Sequence, residues 1–265
     1  MEVLLDGLLF PESPRWHDDA LWLADWGAHD VIRYAGAGSQ VVASVESFPM
    51  CIDFLPDGRL VVVDSARHRL LRQDADGSLV THADLSHLST KPWNEVVVDA
   101  RGNAYVNGIG FDFPGGEPGP GLLAVVAPDG TATQVADDLA FPNGMALTAT
   151  GGLLVAESYA GRLTAFTVQP DGSLSGRRVW ADLGDAAPDG ICVDAEGAAW
   201  YADVPQRRCV RVREGGEVLQ VVELDRGAFS CALGPTTLFI TANAWPPEGA
   251  GAGQLLAVPV DVPCA

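Results

Sequence analysis

The sequence predicts an all-β fold: a six-bladed β-propeller with four-stranded blades, formed by residues 1–265 as one domain. Three observations carry that prediction. A unit of roughly 38 to 50 residues recurs along the chain, within or near the spacing of propeller blades. Each copy pairs two short apolar runs, rich in β-branched and aromatic residues, across a Gly or Asp turn. Between turn signals no amphipathic stretch long enough for a helix survives. Six such units close radially around a central channel. A β-sandwich is the alternative, and it explains the even spacing less well.

The copies follow one another in order. The first runs from Pro14–Trp16 through the turn at Asp18-Asp19 into Leu21–Asp25. The second, the clearest, has Cys51–Leu55, the turn Pro56-Asp57-Gly58, and Leu60–Asp64. Val96–Asp99 with Ala104–Asn107 forms the third, and Met145–Leu147 with Leu154–Ser158 the fourth. Ile191–Asp194 with Ala199–Asp203 forms the fifth, and Cys231–Gly234 with Leu238–Asn243 the sixth. Residues 2–6 precede the first copy. They are expected to supply the outer strand of the last blade and close the ring, since that blade would otherwise expose an open edge.

Composition narrows the function. The formal net charge is −19, with Lys91 the single lysine beside fifteen arginines. Such a surface repels phosphate backbones and anionic lipid, which argues against nucleic-acid and membrane partners. No run approaches a membrane span, and Met1–Leu9 lacks the basic, then apolar, order of a signal peptide. Five cysteines without a CxxC pair fit reduced thiols in a cytoplasmic protein. Histidine spacings typical of metalloproteases, the GxSxG elbow and phosphate-binding loops are all absent.

Aligning the copies exposes one position just before each first strand: Glu12, Met50, Asn94, Asn143, Asp189 and Ser230. If the blades are equivalent, these six ring one mouth of the channel. Carboxylate and amide oxygens converging from separate blades are what a hard divalent cation requires. Two buried carboxylates without a cation are costly. The competing explanation is turn chemistry, because Pro-Asp-Gly and Pro-Asn-Gly are ordinary turn sequences and recur here at 56–58, 128–130 and 170–172.

Pro-Glu-Ser-Pro-Arg-Trp at 11–16, Phe-Pro-Asn-Gly-Met at 141–145 and Pro-Asp-Gly-Ile-Cys at 188–192 occur in this order at blade intervals. On these segments the chain resembles the senescence marker protein/gluconolactonase (regucalcin-like) family over essentially its whole length. The resemblance implies a metal-dependent lactonase with one divalent ion, calcium first and manganese, iron or zinc as alternatives. It implies Glu12, Asn143 and Asp189 as metal ligands. Asp189 becomes the candidate general base, and Asn94 faces substrate or a water. One departure stands out: Pro92 occupies the place of a family arginine that contacts sugar-like substrates. That shifts the expected substrate from a sugar lactone toward a less polar lactone or ester.

Chain direction places the loops that follow each second strand near this mouth. Two are long, 108–121 and 244–253. With their neighbours they offer Trp93, Asn107, Phe111, Tyr159 and Trp245, beside Asn94, as candidate substrate-lining residues. Two other functions compete with the lactonase: a phosphotriesterase-like hydrolase, and a non-catalytic propeller that binds metal or a partner.

Overall fold

A computed structural model describes residues 1–36, 38–244 and 251–264. It contains six four-stranded antiparallel sheets, each built from strands adjacent in sequence, except the last. That sheet takes Gly227–Leu233, Thr237–Asn243 and Gly253–Pro259 from the C-terminal end and Glu2–Leu8 from the N-terminal end. The N-terminal strand pairs from Glu2↔Ala257 to Leu8↔Gly253, closing the ring as expected. It reaches one residue pair further than residues 2–6. Two single-turn 3-10 pieces, Ser65–Arg67 and Ser158–Ala160, are the only helical elements among the described residues. No helix among them is long and apolar enough to cross a membrane.

The burial pattern follows from the architecture. Each blade has sheet faces against its neighbours, so second strands read as continuous apolar runs rather than alternating ones. Leu60–Asp64, Ala104–Gly108 and Ala199–Asp203 are buried at every position. The outermost strands face solvent, as in Val218–Glu223, where no residue is buried.

Every second strand reaches the mouth carrying a buried polar residue at or next to its end: Asp25, Asp64, Asn107, Glu157, Asp203 and Asn243. In three blades an arginine directly across the next ladder clamps the acid. The pairs are Asp64–Arg69 at 2.8 Å, Glu157–Arg162 at 2.9 Å and Asp203–Arg208 at 3.2 Å. Asp25 instead accepts the backbone N–H groups of Leu9 and Phe10 at 2.9 and 2.7 Å. Asp25, Glu157 and Asp203 fasten their strand ends to the loop entering the same blade, and Asn243 donates to the Leu9 carbonyl before the first blade, which fixes loops that build the mouth.

Glu157 shows the energetics. Burial alone would raise its carboxyl, but hydrogen bonds from Arg162, the Ala140 N–H and Thr164 outweigh that and hold it below the ordinary glutamate value. A group depressed in the folded state contributes stability above its unfolded pKa, and that contribution is lost as pH falls through the folded value. Glu157→Gln is therefore expected to cost about 1–3 kcal/mol at pH 7. The deficit should shrink as pH drops below about 4.3. Urea melts of both proteins across pH 3 to 7 check this.

Candidate metal centre at the channel mouth

The innermost strands share a local irregularity. Their ladders slip by one residue between Glu12 and Arg15, Trp93 and Val96, Pro142 and Met145, Pro188 and Ile191, and Ala228 and Ser230. A bulge inserts an extra residue, bends the strand and re-aims a side chain. Glu12, Asn94, Asn143 and Asp189 all sit at these slips. One sequence alignment needs correction. Gly227 pairs with Asn243 as Pro188 pairs with Asp203, so Ala228 stands level with Asp189. Ser230 lies two residues further along.

The backbone separates the site tripeptides from turns. Gly58, Gly130 and Gly172 have φ of +82°, +88° and +84°, as their hairpin turns require. Gly144 and Gly190 instead lie inside the strands Pro142–Leu147 and Pro188–Val193. A Cβ on Gly144 would fall 2.4 Å from the Asp189 carbonyl oxygen, and one on Gly190 would fall 1.9 Å from Ser230 Oγ. These glycines let neighbouring blades approach at the axis, which brings the residues before them together.

Asn94 Nδ2 donates to Asn143 Oδ1 at 2.9 Å, and Asn143 Nδ2 donates to Ser158 Oγ at 3.3 Å. Ser158 Oγ in turn donates to the Pro188 carbonyl at 2.7 Å. Blades 3, 4 and 5 are thereby linked around the mouth. Burial first, then the nearby Asp189 charge, hold the Glu12 carboxyl well above its usual range. Burial and the Glu95 carboxylate do the same to Asp189, against the Asn143 amide and the Gly190 N–H. The one hydrogen bond to the Glu12 carboxylate among the described residues comes from the Ser13 N–H, at 3.0 Å.

Such a donor set fits a hard divalent ion. It offers two crowded carboxylates, Glu12 buried and Asp189 half-buried, with amide oxygens beside them. No three His, Cys, Asp or Glu side chains converge among the described residues, so the set owes its oxygen character to asparagines as much as to acids. The nearest cation, Arg15, is already engaged: its Nη2 lies 2.7 Å from Glu95 Oε1. Glu12, Asn143 and Asp189 would hold the ion, with Asn94 beside them.

The SMP-30/gluconolactonase/LRE-like family model matches residues 10–244. The chain belongs to this family. Regucalcin of Danio rerio is 24% identical over 243 residues, covering 87% of this chain and 82% of that protein. A gluconolactonase of Xanthomonas campestris, 24% identical, superposes with a TM-score of 0.78 over 97% of this chain and 89% of its own. The calcium-binding protein regucalcin of Agrobacterium tumefaciens, 20% identical, reaches 0.80 over 99% and 93%. At these identities the structural likeness speaks for the fold.

The remaining sequence candidates are distributed unevenly. Trp93 and Asn107 are fully buried. The Trp93 ring packs against Gly108. Asn107 donates to the Asn143 carbonyl and accepts from the Glu95 N–H, so it braces two site strands from behind. Phe111 stacks with Tyr159 at 6.0 Å between ring centroids, and Phe141 with Tyr159 at 4.8 Å. Trp245 lies outside the described residues.

Three features escaped sequence reasoning. The first is the buried network below the mouth. Glu95 Oε1 accepts Arg15 Nη2 and the Val96 N–H at 2.7 and 2.9 Å, and Asp53 lies 3.7 Å from Arg15. The second is Ser158, which ties Asn143 to blade 5. The third is a second aromatic wall across the mouth. Phe10 stacks on Trp26 at 5.5 Å and meets Phe229 of the last inner strand at 4.9 Å and Phe48 at 6.0 Å. Polar residues on inner strands were the available signal for the first two, and a Phe, Trp or Pro flanking each inner strand for the third.

Proposed function

We propose that this chain is a metal-dependent lactonase opening a small lactone, sugar-type or less polar. The observation supporting it most is the pair of crowded carboxylates, Glu12 buried and Asp189 half-buried, set beside Asn94 and Asn143 where five inner strands slip at one mouth. Family membership supports the same reading, since a structural relative is a gluconolactonase.

A divalent ion held by Glu12, Asn143 and Asp189, calcium in the first place and manganese, iron or zinc otherwise, would polarise the ester carbonyl and acidify a water. Asp189 then acts as general base. It takes the proton of the attacking water as the new C–O bond forms, and returns it to the ring oxygen as the acyl C–O bond breaks, leaving a hydroxy acid. Asn94 Nδ2 faces the same space and orients the water or carbonyl. The Ser158 bridge keeps the Asn143 amide aimed at the ion, and Asn107 holds the Asn143 backbone. Residues 1–265 act as one unit, and the cysteine usage supports a cytoplasmic setting.

Exhaustive chelation should abolish turnover, and adding back one divalent metal should restore it. A panel of lactones, linear esters and phosphotriesters, run with each metal, should rank a lactone first. Full activity in chelated protein would remove the metal from the mechanism. A phosphotriester ranked first would move the chain to the second hydrolase class.

A further inference from the structure

We infer that the substrate carries an aryl or alkyl group on its lactone ring, and that the two aromatic walls select it; this rests on the lactonase reading above. A polyhydroxylated ring needs several free hydrogen-bonding side chains around the reacting ester, because each hydroxyl that loses water must find a partner. Among the described residues, several small polar side chains at this mouth are already committed to backbone. Ser47 Oγ donates to the Pro49 carbonyl at 2.8 Å, and Ser65 Oγ accepts the Trp93 N–H at 3.0 Å. Ser158 Oγ donates to the Pro188 carbonyl, and Asn243 Nδ2 to the Leu9 carbonyl at 2.9 Å. Asn107 is bonded at both ends of its amide. Of the rim cations, Lys91 is paired with Asp112 and Arg67 with Asp64.

What the rim presents instead is ring surface. Tyr159 is 58% exposed although it stacks on Phe141, and Phe48 is 41% exposed although it meets Phe10 and Trp26. These are the two most exposed aromatic side chains of the described residues, and each caps one wall. Pro92, bonded through its carbonyl to the Ile109 N–H, adds no donor between them. A flat or aliphatic substituent would stack on such faces and gain from leaving water, whereas a sugar ring would lose hydrogen bonds there.

The test uses the metal-loaded full chain with γ-butyrolactone, γ-nonanolactone, dihydrocoumarin and D-glucono-δ-lactone. Expected is a kcat/KM for γ-nonanolactone or dihydrocoumarin at least about 100-fold above that for the sugar lactone. Phe48→Ser and Tyr159→Ser should each lower the ratio of kcat/KM for the substituted lactone over γ-butyrolactone about tenfold, mainly through KM. Both positions are exposed enough for the variants to fold, which thermal melts verify. A sugar lactone turned over as well as the substituted ones, or a ratio unmoved in both variants, overturns the inference while leaving the lactonase reading intact. If no lactone is turned over at all, the lactonase reading falls. The walls are then read by binding of the lactam analogue of dihydrocoumarin, followed by tryptophan fluorescence. Saturable binding weakened by Phe48→Ser upholds the apolar site, and no binding overturns it.

Discussion

Glu12→Gln and Asp189→Asn are expected to lose at least about 10³-fold in kcat/KM and to retain no stoichiometric metal after gel filtration. Their metal-free forms should melt no lower than the metal-free parent. The reason is the crowding itself. Burial and the neighbouring carboxylates disfavour charge at both positions, and Arg15 is held by Glu95 rather than by either. A neutral amide of the same shape removes that repulsion while keeping the packing. Loss of function without loss of stability separates a ligand from a merely structural acid, since a structural acid such as Glu157 gives the opposite pattern. Activity assays, metal analysis and calorimetry on the same preparations check all three expectations.

The second large effect concerns the network beneath the mouth. Arg15→Met should destabilise the protein by about 3–5 kcal/mol. That corresponds to a fall in Tm of about 5–9 °C for a chain of this size. The substitution leaves Glu95 buried without its partner, and Asp53 and the Ser13 hydroxyl lie in the same pocket. Arg15→Met combined with Glu95→Leu should recover most of that loss, because a buried ion pair replaced as a unit by apolar side chains is often neutral. Equal melting of the single and double variants would show that the pair is not coupled. Since Asn107 also accepts the Glu95 N–H, both variants should weaken metal binding less than Glu12→Gln does.

The blade count, the closing strand and the ring of polar residues at the mouth could be read from the chain because repetition makes each blade a control for the others. Glu12, Asn143 and Asp189 differ in kind but share a place, and bulges recur at those places. Gly144 and Gly190 could be mistaken for turn glycines because their role, contact between blades, depends on partners some 40 residues away. The Arg15–Glu95 pair spans 80 residues, and no local spacing marks it. Asn107 looked like a substrate contact because it ends a second strand, yet that position is a buried brace in every blade. Ser230 lies two residues beyond the position level with Asp189, which only the pairing of Gly227 with Asn243 reveals.

The proposed chemistry requires a cation at one spot on the propeller axis. Anomalous diffraction from crystals soaked in Mn²⁺ measures this directly. The expected result is a single strong peak on the propeller axis, about 2.0–2.6 Å from carboxylate oxygens of Glu12 and Asp189 and from Asn143 Oδ1. A map with no axial peak, or with manganese bound only at surface acids while those three side chains turn apart, would contradict it.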